Sequence, residues 1–241
     1  MPDSRKPAAS ATVPDFGRTR SFHAGSADML RTVVFFGLMY VYLLVFIRPH
    51  LIYDCAVITN FPAFYKGWAF FAECLSQPGG LVKYVSALLS HLFYLPWAAA
   101  LVITAQAWLI SACTGLLFRA VALPGARGLR FVPAVLVLAA YGRYTYHLPM
   151  IMGVLASLAF TALYVSAVSR VGMGARDGSR SHLSENATSV AIFTVVSVAC
   201  YMAGAGAYFL FAGLCLLYEF LFRRRYATVG LGAVITVALP Y

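Results

Sequence analysis

Long apolar segments separated by short basic connections are the feature that most constrains this chain. A bilayer core of about 30 Å takes about 20 apolar residues per helix. The longer candidate spans are residues 32–52, 98–118, 148–169 and 187–203, and the shorter ones are residues 131–142, 206–222 and 227–241. Charged residues make up only 11% of the 241-residue chain, against about 25% in a soluble domain. The sequence therefore predicts an all-α, polytopic membrane helix bundle with about seven transmembrane helices.

The positions of the basic residues predict which side of the membrane each connection faces. With the N-terminus in the cytoplasm, the 18 Lys and Arg residues divide unevenly. The outer side receives only Arg48, Lys66, Lys83 and Arg143, as the positive-inside rule requires. We therefore interpret the net charge of +10 as a result of the basic residues in the predicted cytoplasmic connections. No recognition motif accompanies it, so no nucleic-acid partner is expected.

The two ends of the chain carry separate expectations. Residues 1–27 are rich in Pro, Ser and charge, which predicts a disordered cytoplasmic tail, and residues 28–241 form the transmembrane domain. The first apolar run is followed by Arg48-Pro49-His50 rather than a small-residue cleavage site, so we interpret it as an uncleaved anchor. The chain stops inside an apolar run, and we expect the domain to continue beyond residue 241.

The first outer connection, residues 48–97, is far longer than the other outer connections. Phe64, Trp68, Phe71 and Leu75 recur at helical spacing. After the turn at Pro78-Gly79-Gly80 a second apolar stripe follows, with a more polar face opposite it. That face consists of Lys83, Ser86, Ala87 and Ser90. The pattern predicts two amphipathic helices on the outer membrane surface, with the second helix's polar face in water.

A few titratable side chains of the outer side form the candidate site. Asp54 directly follows the first span and is the candidate catalytic residue. Arg143, Tyr144 and His147 join the third and fourth spans and are the candidate substrate-binding residues. Such a set could hold a lipid-borne phosphate or orient an acid and a base. The alternative is that these residues simply occupy the interface, where charged and aromatic side chains are common.

The remaining polar residues point to structural roles. Cys55 and Cys74 lie in the outer connection, where an oxidising compartment would allow a disulfide between them. No CxxC or Cys/His spacing is present, so no metal site is predicted. Gln106 lies mid-span and is interpreted as a contact between helices. Glu219 is one turn from Arg223, so we expect it to snorkel or to pair with that residue.

Four stretches carry a resemblance to an uncharacterised family of bacterial polytopic membrane proteins, a domain of unknown function. They are HLIYD (50–54), PGGLVKYVSALLSHLFYLPW (78–97), LVITAQAWLI (101–110) and YMAGAGAYFLFAGLCLLYEFLFRRR (201–225). The likeness covers about residues 30–225. It implies a multi-pass protein of the bacterial inner membrane and brings no established activity.

A looser resemblance concerns architecture. A first span followed by a long outer loop with an acidic residue just past the span resembles the opening of the GT-C membrane glycosyltransferases. That resemblance implies that Asp54 is an acid/base or metal-binding carboxylate. It also implies that Arg143 and His147 meet the phosphate of a lipid carrier. A divalent metal is expected only on this resemblance, and the chain lacks a paired acidic motif.

Two hypotheses about function follow, and the sequence leaves open whether the protein is an enzyme. The first is an inner-membrane protein that acts on or binds a lipid-linked substrate at the outer face, with GT-C-like glycosyl transfer as its concrete form. The second is a non-enzymatic subunit that docks to other membrane proteins in a larger complex. A transporter is the third and weakest hypothesis. The expected partners are membrane lipids, a lipid-phosphate-linked substrate or other membrane subunits, and no cofactor is predicted.

Overall fold

The computed structural model describes residues 26–49, 51, 64–65, 67–121, 124–143, 147–174, 182–223 and 226–239. Within these ranges all regular secondary structure is helical. The α-helices are, in chain order, α1 (Ser26–Tyr42), α2 (Trp68–Leu75), α3 (Gly80–Ser90), α4 (Pro96–Ala120), α5 (Val132–Tyr141), α6 (Leu148–Gly174), α7 (His182–Gly204), α8 (Tyr208–Tyr218) and α9 (Tyr226–Ala238). Two of them continue into π-helical turns, α1 into Leu43–Ile47 and α8 into Glu219–Arg223.

Four helical stretches of the described chain are long and apolar enough to cross a membrane. They are Asp28–Ile47, Pro96–Ala120, Leu148–Arg170 and Asn186–Phe222. They coincide closely with the apolar segments of the sequence, because those segments contain few charges over about 20 residues. The prediction of an all-α membrane protein is confirmed at this level. Most of the predicted cytoplasmic tail, residues 1–25, lies outside the described residues.

The last of these stretches is a helical hairpin rather than one straight helix. The rings of Phe193 in α7 and Phe211 in α8 lie 6.0 Å apart, although a continuous helix would separate them by about 27 Å. A 3₁₀ turn at Ala205–Ala207 joins the two helices. The chain therefore reverses at AGAGA (203–207), the short turn that the sequence places on the outer side.

The helices at the predicted spans 131–142 and 227–241 are too short to cross the bilayer core as straight helices. α5 contains 10 residues and α9 contains 13, which at 1.5 Å per residue gives about 15 and 20 Å. They coincide with the predicted spans 131–142 and 227–241. Those two crossings stay predictions.

α6 links two hydrophobic clusters and so organises the bundle. Its first residues, Leu148 and Ile151, belong to a cluster built with α1, α4 and α5. Its later residues, Tyr164 and Val168, belong to a cluster built with α7 and α8. α6 therefore packs against both groups of helices.

The polar face of α3 does not meet water as predicted. Ser86, Ala87 and Ser90, expected in water, are at most 2% exposed on a helix that contacts α6 and α7. Leu88 and Leu92, expected to face the membrane, are 46% and 40% exposed and so are open to lipid. In a membrane, small residues let helices approach closely, while leucines are well solvated by lipid tails. The predicted water-facing Ser86–Ser90 surface is therefore wrong, since it is a helix–helix interface.

α2 presents its predicted apolar stripe unevenly. Trp68 is 79% exposed and Leu75 is 45% exposed, whereas Cys74 is only 4% exposed. α2 packs against α3 through Phe71 of the same stripe, whose ring lies 4.9 Å from that of Tyr84. An exposed tryptophan is typical of the headgroup region, so the surface position predicted for α2 stays a prediction.

Candidate functional site at the junction of two turns

The Pro78-Gly79-Gly80 turn docks onto the end of α7. The Gly79 amide donates a hydrogen bond to the carbonyl of Met202, at 3.0 Å. That carbonyl lies in the last turn of α7, where carbonyls have no partner within the helix. Gly79 has a φ of 78°, and a Cβ there would lie 2.8 Å from the Cβ of Ala205. Both the backbone conformation and the close approach require glycine.

Gly80 is fixed by the preceding helix. A Cβ on Gly80 would overlap the backbone carbonyl of Cys74, at the end of α2. Its amide donates to the carbonyl of Gln77, at 3.0 Å. The second glycine therefore sets the tight angle between α2 and α3, and it holds α3 against the bundle.

The AGAGA turn is held on its other side by α6. The Ser157 hydroxyl lies 2.5 Å from the carbonyl of Ala207 and 3.0 Å from that of Gly153. A Cβ on Gly153 would lie 3.1 Å from the Cβ of Ala207. Ala205 has a φ of 42°, a left-handed conformation that is uncommon for a residue with a side chain. Close packing on both sides maintains this strained turn.

An open groove of about 690 Å³ lies where these segments meet. We call it the outer groove. Its walls come from the first turn of α3, the first turns of α6, the AGAGA turn and the start of α8. The described lining residues are Pro78, Gly79, Val82, Lys83, Ser86, Pro149, Met150, Gly153, Val154, Gly204, Ala205, Gly206, Ala207 and Leu210.

The electrostatics of the outer groove favour a negative charge. Lys83 is the only charged side chain among the lining residues that the structure describes. Three helices, α3, α6 and α8, begin at the groove, and helix N-termini carry a partial positive charge. Only α7 ends there, and its Met202 carbonyl is already bonded to Gly79. The groove thus combines apolar walls with a net positive rim, as an anionic amphiphile would require.

An aromatic cluster borders α3 on the side of α2. The Phe64 ring lies 5.4 Å from Tyr84 and 5.6 Å from His91, measured between ring centroids. Phe70 and Phe71 also contact Tyr84. His91 therefore packs edge-on against an aromatic ring, which accounts for its position without a chemical role.

The sequence-predicted site residues are only partly within the described chain. Asp54 and Tyr144 lie outside it. Arg143 is exposed in the turn that follows α5, where its amide donates to the Ala140 carbonyl at 3.2 Å. His147 is half-buried just before α6, and its carbonyl accepts from the Ile151 amide at 3.0 Å. Neither lines the outer groove as described, although His147 is two residues from Pro149, which does.

The described residues do not test the predicted Cys55–Cys74 disulfide or the divalent metal expected at Asp54. The Cys74 thiol is buried at the end of α2, and Cys55 lies outside the described residues, so their bond stays a prediction. Among the residues described, no group of three or more His, Cys, Asp or Glu side chains could hold a metal ion. A divalent metal on Asp54 likewise stays an expectation of the GT-C resemblance.

Gln106 and Glu219, which the sequence places inside apolar spans, each make a hydrogen bond to a tyrosine of another helix. Gln106 of α4 accepts a hydrogen bond from the Tyr141 hydroxyl of α5, at 3.0 Å, which confirms its role between helices. Glu219 is only 3% exposed and accepts from the Tyr164 hydroxyl, at 3.0 Å. The expectation that Glu219 snorkels is therefore wrong, because its carboxylate points into the bundle. The side chain of Arg223 lies outside the described residues.

Sequence reasoning missed Lys83 as a site residue. It placed Lys83 on a passive, water-facing surface of the second loop helix. The signal that could have identified it is the pair of glycine-rich turns, PGG and AGAGA, which both fall at predicted outer ends. Small residues permit close backbone contact, so two such turns on one side of the membrane are candidates for a junction.

Comparisons with known proteins give a family and no activity. No curated protein matches the chain, and no solved structure matches it. A family of unknown function (DUF6057) matches residues 24–241, a range that includes every helix described above. The chain belongs to this family of unknown function.

Proposed function

We propose that the protein binds a lipid-linked or other anionic lipid headgroup in the outer groove, at the outer face of the bacterial inner membrane. The observation that carries this proposal is the groove itself. Its volume of about 690 Å³ lies within the range of about 300–1,000 Å³ typical of small-ligand sites. Its walls are mainly apolar, and Lys83 supplies a positive charge at the rim.

The chemistry of the groove matches the two parts of such a lipid. Val82, Val154 and Leu210 can contact a hydrocarbon chain. Lys83 and the positive ends of the α3, α6 and α8 helix dipoles favour a phosphate at the groove. Lys83 is exposed, so a headgroup can reach it from the water.

In the topology that we propose, this groove lies on the outer side. We propose seven crossings, with the N-terminus in the cytoplasm, and α5 and α9 as the short crossings. The basic residues support this arrangement, since the outer connections hold few of them. PGG, the start of α6 and AGAGA then lie together outside, and the hairpin reversal at AGAGA supports that grouping.

The concrete enzymatic version is GT-C-like glycosyl transfer. Asp54 would be the acid/base or metal-binding carboxylate, and Arg143, Tyr144 and His147 would contact the carrier phosphate. His147 supports this version because it lies two residues before the groove-lining Pro149. Asp54 follows the first span directly in sequence. Binding in the groove does not require this chemistry and can be tested without it.

The second candidate is a subunit that docks to other membrane proteins. It is favoured by one observation, the exposed aromatic surface of Tyr65 and Trp68, which are 68% and 79% exposed. A lipid interface would also accept these side chains. Recovery of the protein as a monomer after gentle solubilisation would contradict the subunit hypothesis and would be compatible with lipid binding.

Replacing Lys83 tests lipid binding. Lys83→Gln should weaken binding of an anionic lipid about tenfold, which corresponds to one charge-assisted hydrogen bond of about 1.4 kcal/mol. The measurement is native mass spectrometry across titrations with phosphatidylglycerol and with a polyprenyl phosphate. Phosphatidylcholine serves as the neutral-headgroup comparison, and inorganic phosphate is added as a competitor.

The matched control is Arg170→Gln, which removes an exposed charge at the far end of α6. It should leave the titration unchanged. Equal binding of phosphatidylglycerol and phosphatidylcholine, or equal losses in the two variants, would refute a headgroup site at Lys83.

Cysteine labelling tests the proposed topology. In a background with Cys55→Ser and Cys74→Ser, Ser76→Cys places a thiol at an exposed position between α2 and α3. A membrane-impermeant maleimide should label it in intact spheroplasts. Arg170→Cys should react only after permeabilisation, because it lies at the opposite end of α6. Reversal of this pattern would overturn the N-in arrangement.

A further inference from the structure

A second polar site lies inside the bundle, about 20 Å along α6 from the outer groove at 1.5 Å per residue. The polar residues of this small cavity are Tyr164 of α6, Ser189 of α7, Glu219 after α8 and Thr228 of α9, and the rest of its wall is Val190, Phe193, Cys215, Leu216 and Gly232. The cavity volume is about 10 Å³, which leaves room for about one water molecule. Oxygen-bearing side chains from four helical segments therefore surround room for one small particle.

Glu219 is the charged member of this site. One carboxylate oxygen, Oε1, accepts from the Tyr164 hydroxyl at 3.0 Å. The other, Oε2, is buried and has no hydrogen-bond partner among the described side chains. With 3% of the residue exposed, the carboxylate is shielded from water. A buried carboxylate with an unbonded oxygen is strongly unfavourable unless a positive charge balances it.

The local backbone also departs from an ordinary helix at this point. Glu219 begins a π-helical turn that runs to Arg223. Such turns are rare and are frequently found at functional sites. Here the turn comes directly after α8, at the residue whose carboxylate lines the cavity.

We propose that this cavity is a binding site for one monovalent cation, with sodium as the ion it takes. Hard cations prefer oxygen ligands, and Glu219, Ser189 and Thr228 provide them. A single carboxylate balances a single positive charge, whereas a divalent ion would leave an uncompensated charge in the bundle. The described residues contain no cluster of acidic or His side chains to hold a divalent ion.

Sodium bound there would contact three helical segments at once. Ser189, Glu219 and Thr228 belong to α7, the end of α8 and α9, respectively. The ion therefore stabilises the second half of the bundle. This role is independent of the outer groove, and the two proposals can fail separately.

Thermal unfolding of the purified full-length chain in detergent tests the site. Sodium is compared with N-methyl-D-glucamine at constant ionic strength and pH 8. When sodium is about tenfold above its dissociation constant, the Tm should rise by about 4 °C. Glu219→Gln should abolish this rise. Glu73→Gln, which removes an exposed carboxylate of α2, should retain it in full.

A second variant keeps the test decisive if Glu219→Gln folds poorly. Thr228→Val removes one hydroxyl ligand at nearly constant size. It should raise the sodium concentration needed for half of the Tm increase about tenfold, as expected when the ion loses one oxygen ligand. The same Tm in both cations would show instead a protonated carboxyl that merely joins helices, and a sodium effect that survives in Glu219→Gln would show that sodium acts at another site.

Discussion

Gly80→Ala is expected to destabilise the protein by more than about 3 kcal/mol, which lowers the Tm by about 10 °C for a chain of this length. The added Cβ would overlap the backbone carbonyl of Cys74. No side-chain rotation can relieve a clash between two backbone-fixed atoms. The PGG turn must therefore open, and Gly79 then loses its hydrogen bond to Met202.

The measurement is thermal unfolding in detergent, read by a thiol-reactive dye. Cys74, Cys200 and Cys215 are buried, so the dye reports the opening of the packed bundle. The matched control is Gly213→Ala in α8, an exposed glycine where an added Cβ meets nothing within 4 Å. It should be neutral or stabilising by up to about 1 kcal/mol. Equal effects of the two substitutions would mean that the PGG turn does not hold α3 in place.

The helices were predictable because the bilayer requires apolar segments of a set length. The segments 98–118 and 148–169 coincide with α4 and with most of α6 for this reason. The reversal at AGAGA was also predictable, since a short small-residue turn separates two apolar runs. Apolar length alone does not decide whether the segment 131–142 crosses the bilayer. Its helix, α5, is only 10 residues long, so its depth in the membrane depends on the helices packed around it.

The orientation of α3 could not be predicted from its hydrophobic pattern. That pattern was interpreted as if the polar face must meet water, as it does at a membrane surface. Inside a membrane the preference reverses, because lipid accepts leucine and neighbouring helices accept small residues. Ser86 and Ala87 follow this second rule, with at most 1% exposed.

The candidate site was predictable only in its general location. The sequence pointed to the outer loop and to its PGG turn, but it favoured Asp54, Arg143 and His147 over Lys83. The outer groove depends on a contact between Gly79 and Met202, more than a hundred residues apart. A single sequence contains no local signal for such a contact. Glu219 was misjudged for the same reason, since its partner Tyr164 lies on another helix.

Ala87→Leu is expected to destabilise the protein by about 1–3 kcal/mol, because it forces extra methyl groups into a packed interface. Ala87 is 1% exposed, and its helix contacts α6 and α7. The neighbouring substitution Leu88→Ala should change stability by no more than about 0.5 kcal/mol. Leu88 is 46% exposed, so its truncation removes contacts with lipid or detergent and leaves the protein interior unchanged.

The two substitutions together distinguish the two orientations of α3. If the Ala87 face were in water, Ala87→Leu would be neutral, and Leu88→Ala would be the damaging change. Thermal unfolding of both variants in one detergent gives the ranking directly. Ala87→Leu should also weaken binding of phosphatidylglycerol, because α3 carries Lys83 into the outer groove and must remain seated on α6 to do so. A stable Ala87→Leu variant and an unstable Leu88→Ala variant would mean that α3 lies on the membrane surface. In that case the outer groove would not exist.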